Sequence, residues 1–202
     1  MNEKILNILG IIAIIVIVIN LGILLLKADE VKAVLTGKVS QGEVNITVGE
    51  YTSLNFTTWQ INFGTGSVDA GETNASLMTD GTIDRGNWTA VEDGLRIENT
   101  GNINLSILIK ADETASSFLG GTNPKYAWNF SDDDADDGSC IPPESTDLST
   151  EWYDVNATMG VCDYFQPNDA IDEMDIDFWL IVPSDSLTEA RGDQITATVN
   201  AV

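Results

Sequence analysis

The stretch LRIENTGNINLSILIKAD, Leu95–Asp112, carries the strongest local pattern in the chain. Apolar residues alternate with polar ones on both sides of Asn99-Thr100-Gly101-Asn102. Period-two alternation is the mark of strands with one face in a core. Leu95 and Ile97 are expected to point inward before the bend, and Ile103, Leu105, Ile107 and Ile109 after it. Gly101 and Asn102 tolerate the positive φ of a tight turn, so the stretch reads as a β-hairpin.

Similar runs recur on either side. Val44, Ile46 and Val48 alternate with Asn45 and Thr47; Leu54, Phe56, Trp59, Ile61 and Phe63 extend the pattern. Residues 64–94 are rich in glycine, Asn and Asp and read as loop. Lys125–Phe130, Glu173–Val182 and the C-terminal DQITATVNAV read as further strands, and only ADETASSFL looks helical. Roughly seven to nine strands predict an all-β chain: a single β-sandwich or jelly roll.

Ile5–Leu26 contains no charged residue and is bracketed by Lys4 and Lys27. A helix of that length matches the roughly 30 Å hydrocarbon core of a bilayer. An uncleaved anchor is the favoured reading, ahead of a signal cleaved near Ala28 or Ala33. The expected organisation is a transmembrane segment in residues 1–27, a membrane-proximal stalk in 28–41 and an extracellular sandwich in 42–202. A short N-terminal tail, the sequons and the two cysteines all favour the bulk lying outside. If the segment is cleaved, the protein is secreted.

Charge and composition remove several functions. The chain has 202 residues, 32 acidic against 9 basic, for a net charge of −23. Such a surface repels nucleic acid, so none is expected as a partner. Histidine is absent, which excludes zincin motifs, Ser-His-Asp triads and Cys-His dyads. Carboxylate-only chemistry such as glycoside hydrolysis survives on composition alone. The expectation is a non-enzymatic protein.

Cys140 and Cys162 are expected to pair in an oxidising compartment. Seven N-x-S/T sequons are candidate glycosylation sites: Asn45, Asn55, Asn74, Asn87, Asn104, Asn129 and Asn156. SDDDADDGSCIPPE, Ser131–Glu144, crowds carboxylates that must stay hydrated or share a cation, and hard oxygens suit calcium. With Gly138 as the sixth place of an EF-hand-type loop, Asp133, Asp137 and Glu144 fall at places one, five and twelve. Ala135 breaks the pattern at place three, leaving a solvated acidic loop as the default and calcium as the candidate cofactor. Arg191-Gly192-Asp193 matches the integrin-binding tripeptide, but three-residue matches arise readily and a turn before the last strand explains Gly192-Asp193.

IENTGNINLSILI, together with the early QGEVNITV and the C-terminal ITATV, resembles the TasA/camelysin family and related archaeal bundling-pilus subunits. That resemblance implies a secreted jelly roll whose copies assemble by donating a strand to an identical neighbour. Camelysins are described as metalloproteases, an activity that a chain without histidine does not inherit. The acidic, cysteine-bracketed insertion also departs from the pattern. Two functions compete: a structural surface protein (a filament, matrix or envelope subunit) and a membrane-anchored adhesion module that recognises a glycan or protein through its loops.

Overall fold

The computed structural model describes Ile12 and residues 14–20, 46–132, 138–148 and 151–202. Residues 14–20 are helical with exposed apolar side chains, and the Asn20 side-chain amide donates to the Val16 carbonyl at 2.7 Å. No helix among the described residues is long and apolar enough to cross a membrane. Most of the expected anchor and all of the expected stalk lie outside the described residues. Contacts separate Met1–Thr47 from Val48–Val202, and the latter holds every strand described below.

Val48–Val202 is mostly β, with two sheets around one apolar core. A seven-stranded sheet contains β1 (Asn55–Thr58), β2 (Asn74–Met78), β3 (Ile83–Asp84), β4 (Leu95–Glu98), β6 (Lys125–Ser131), β8 (Tyr153–Asp154) and β10 (Glu173–Pro183). A four-stranded sheet has the order β11 (Ile195–Ala201), β5 (Leu105–Ala111), β9 (Met159–Phe165), β7 (Cys140–Ile141). All ladders between these strands are antiparallel.

β10 is the spine of the larger sheet. Its alternation buries Met174, Ile176, Phe178, Leu180 and Val182 on one face. β6 lies along one flank over Asp175–Ile181. The other flank is covered by two strands end to end, β4 over Glu173–Ile176 and β2 over Trp179–Pro183. Thr79 bridges the break: its N–H donates to the Phe178 carbonyl at 3.1 Å, and its hydroxyl accepts from the Phe178 N–H at 3.0 Å. Gly94 completes it, because a Cβ there would strike the Ile176 carbonyl.

The Leu95–Asp112 stretch is not a hairpin. β4 belongs to the seven-stranded sheet and β5 to the four-stranded one, so the bend carries the chain across the core. Neither Gly101 nor Asn102 has a positive φ. The inward assignments hold, since Ile97, Leu105, Ile107 and Ile109 are fully buried, Leu95 nearly so, and Ile103 packs half-buried against the core. Alternation reports which side chains face the core, and both faces of a two-layer core satisfy it.

Asn99 holds this crossing from inside. It is 1% exposed, and its side-chain amide donates to the carbonyls of Ile103 (3.0 Å) and Phe165 (2.9 Å). Its side-chain oxygen accepts from the Gly101 N–H at 3.1 Å. Asn102 works outward, accepting from the Tyr51 N–H at 2.6 Å and donating to the Gly49 carbonyl at 2.9 Å. Gly101 is demanded by close approach, because an added Cβ would lie 2.5 Å from the Tyr51 carbonyl.

Other expectations change. Ile46 and Val48 are in no strand and are 86% and 74% exposed, although their alternation predicts one. Of the Leu54–Phe63 run, only Asn55–Thr58 forms a strand, and Trp59 is 74% exposed. The stretch read as loop contains β2 and β3, with Ala75 and Leu77 fully buried. The described strands number eleven, more than predicted, because several have only two residues.

Candidate functional site

The feature with the clearest capacity to bind is the outer edge of β11. Its register with β5 is regular from Ile195 opposite Ala111 to Ala201 opposite Leu105. The Asp112 N–H donates to the Gln194 carbonyl at 3.2 Å, and the Val202 N–H donates to the Asn104 carbonyl at 3.1 Å. Even-numbered residues therefore bond to β5. Antiparallel pairing alternates, so the N–H and C=O groups of Ile195, Ala197, Val199 and Ala201 face away from β5, a side on which no strand among the described residues pairs. The side chains of Ile195, Ala197 and Val199 pack against the core yet stay only half-buried. Thr196, Thr198 and Asn200 are exposed on the opposite face.

The other outermost strands in the described sheets are short or irregular. β3, β7 and β8 have two residues each, and β1 is interrupted by a register shift between Phe56 and Thr58. Short strands and bulges are the usual protection against unwanted pairing, as are edge lysines and prolines. β11 has seven residues and none of these devices.

The Cys140–Cys162 disulfide forms as expected, with a Cα–Cα separation of 5.6 Å, and ties β7 to β9 at one margin of the four-stranded sheet. Of the sequons, Asn55, Asn87, Asn104 and Asn156 are exposed and Asn74 is half-buried; Asn45 lies outside the described residues. Asn129 must be corrected. It is 6% exposed, and its side-chain nitrogen, the atom a glycan would occupy, donates to the Glu151 carbonyl at 2.7 Å.

Asp133 and Asp137 lie outside the described residues. Glu144 is exposed, and Asp132 accepts from the Gly138 N–H at 2.8 Å. Among the described residues no group of three or more His, Cys, Asp or Glu side chains could hold a metal ion.

Carboxylates in the fold mostly serve as braces. Asp193 of the Arg-Gly-Asp tripeptide accepts from the backbone N–H groups of Asp112, Glu113 and Gln194 at 3.1, 3.0 and 2.8 Å, and from the Tyr126 hydroxyl at 3.0 Å. Its oxygens are engaged in the turn, which removes the basis for an adhesive tripeptide. Burial, and then the charge of Asp193, push the Tyr126 phenol above its ordinary range. On the outer face of the larger sheet, Arg96 grips Asp175 with two bonds (2.6 and 2.9 Å) and Glu173 with a third (3.3 Å). Asp177 accepts from the Thr79 hydroxyl at 2.7 Å, and burial raises its carboxyl above the usual range despite that bond.

An aromatic group also sits on this face. Trp152 meets Trp179 edge-on at 5.8 Å, and the Lys125 ammonium lies 3.4 Å from the Trp179 ring centroid. A cleft of about 590 Å³ is lined by Lys125, Trp128, Trp152, Tyr153, Asp154 and Asn156, among others.

No protein-family model matches this chain, and neither a curated protein nor a solved structure does. Sequence reasoning did not identify the β11 edge. Its only local signal is Gln194–Val202 lacking any charged side chain in so acidic a chain.

Proposed function

We propose that this chain is a non-enzymatic structural protein of the cell surface, a filament, matrix or envelope subunit that associates with identical copies by adding a strand. In this reading residues 1–27 anchor it as a single-pass membrane protein, and residues 42–202 form an extracellular jelly-roll or β-sandwich domain. One observation carries it: the seven-residue β11 edge, unprotected by charge, proline or bulge. The disulfide and the exposed sequons suit an oxidising exterior. Strand donation, as the family resemblance implies, is one form that such addition takes.

The test is light scattering of the full chain, in detergent where needed, over a concentration series. Mass should rise with concentration. Thr198→Lys, an exposed change that sets a charge beside the edge, should hold the protein at the lower mass without changing its melting transition. Equal, concentration-independent masses for both proteins would refute the proposal.

The aromatic cleft favours a second reading, an adhesion module for glycans. Trp152 and Tyr153 offer apolar rings beside Asp154 and Asn156, and the buried Trp128 Nε1 has no hydrogen-bond partner among the described residues. Lys125 already covers Trp179, which leaves less open ring for a sugar.

A further inference from the structure

We infer that the strand completing the β11 edge is β11 of a second copy, antiparallel about a two-fold axis at Thr198; this rests on reading the chain as a self-assembling subunit, and it makes the β11 junction a closed dimer that assembles further only through other surfaces. Four open residues, Ile195, Ala197, Val199 and Ala201, are spaced symmetrically about Thr198. Turning a copy about an axis through that residue, perpendicular to the sheet, sets Ile195 opposite the partner's Ala201 and Ala197 opposite the partner's Val199. Both members of each pair direct N–H and C=O groups at the other, so every open backbone group from Ile195 to Ala201 gains a partner. A register shifted by two residues leaves one residue at each end unpaired.

Side chains agree with this arrangement. A perpendicular two-fold keeps both core faces on the same side of the merged sheet. The half-buried Ile195, Ala197 and Val199 then gain apolar neighbours across the junction. On the outer face, Thr198 meets the partner's Thr198 and Thr196 meets the partner's Asn200, pairs that suit an exposed antiparallel ladder.

Charge selects the occupant. Each copy carries −23, so two copies approach most easily where ionisable side chains are absent. Gln194–Val202 is such a surface, with no charged side chain along its length. An isologous contact presents this neutral strip to itself and keeps the acidic loops out of the junction.

Cysteine cross-linking of the full chain tests the register. No free cysteine exists among the described residues, and Cys140 and Cys162 are already paired, so an introduced thiol reacts alone. Thr198 would sit in a non-hydrogen-bonded pair, with Cα atoms about 4.5 Å apart and within the span a disulfide bridges. Thr196 would lie about 13 Å along the strand from the partner's Thr196. Thr198→Cys should therefore form covalent dimers on mild oxidation, Thr196→Cys should not, and Thr196→Cys with Asn200→Cys should regain them. These positions are exposed, so the fold should survive each change.

A Thr198→Cys protein that stays uncross-linked, or a Thr196→Cys protein that cross-links equally well, overturns the two-fold junction. If light scattering still shows association in that case, the two-fold junction falls and the self-assembly reading stands. If the chain is monomeric at every concentration, both fall.

Discussion

Replacing Asn99 by alanine should unfasten the crossing between the two sheets. Three hydrogen bonds vanish: those to the carbonyls of Ile103 and Phe165, and the one from the Gly101 N–H. The side chain is 1% exposed, so water cannot replace it without opening the core. A typical intramolecular hydrogen bond contributes about 1 kcal/mol net, which puts the loss at about 3 kcal/mol. For a chain of this size that corresponds to a melting temperature lower by about 6–12 °C. Asn99→Asp should cost at least as much, because an ionised carboxylate cannot donate and would face two carbonyl oxygens. Urea unfolding followed by tryptophan fluorescence gives the comparison, with the slope checked for two-state behaviour. A loss below about 1 kcal/mol for Asn99→Ala at unchanged slope would refute the role given to this residue.

Other outcomes follow from the same contacts. Replacing both Cys140 and Cys162 by alanine should cost about 3 kcal/mol on the chain-entropy estimate for their separation of 22 residues, measurable by the same titration. Asp177→Asn keeps an oxygen for the Thr79 hydroxyl while removing a half-buried charge near Asp175, Asp80 and Asp93. The raised native pKa means that ionised Asp177 opposes folding at neutral pH, and protonation relieves this as pH falls through the native value. The variant should therefore melt no lower than the wild type at pH 7, with any advantage shrinking toward pH 4; a clearly lower melting point at pH 7 would contradict the sign. Finally, the apolar Ile5–Leu26 segment predicts retention in the membrane fraction after alkaline carbonate washing, and recovery of a soluble chain beginning near Asp29 or Val34 would contradict the anchor.

What the sequence disclosed depended on the length and position of each strand. β10 and β11 were legible because long alternation leaves little room for another reading. The Leu95–Asp112 stretch gave its inward residues and hid its topology, since a hairpin and a crossing bury the same side chains. β2 escaped because only Ala75 and Leu77 turn inward, inside a polar surround. β9 escaped because Gly160 and Asp163 interrupt its apolar residues and its pairing with β5 is irregular. The Asn129 sequon is visible in the sequence, whereas the Glu151 backbone that covers it comes from a different segment and is not. The open edge was least legible of all, because being last in a sheet is a property of the other strands' placement.

Hydrogen exchange along β11 tests the central claim most directly. In dilute protein the amides of Thr196, Thr198 and Asn200, bonded to β5, should exchange slowly, and those of Ile195, Ala197, Val199 and Ala201 should exchange fast. Raising the concentration should slow the odd-numbered set alone as a second strand adds. Odd-numbered amides that are already protected in the dilute monomer, or that stay fast at every concentration, would contradict the account.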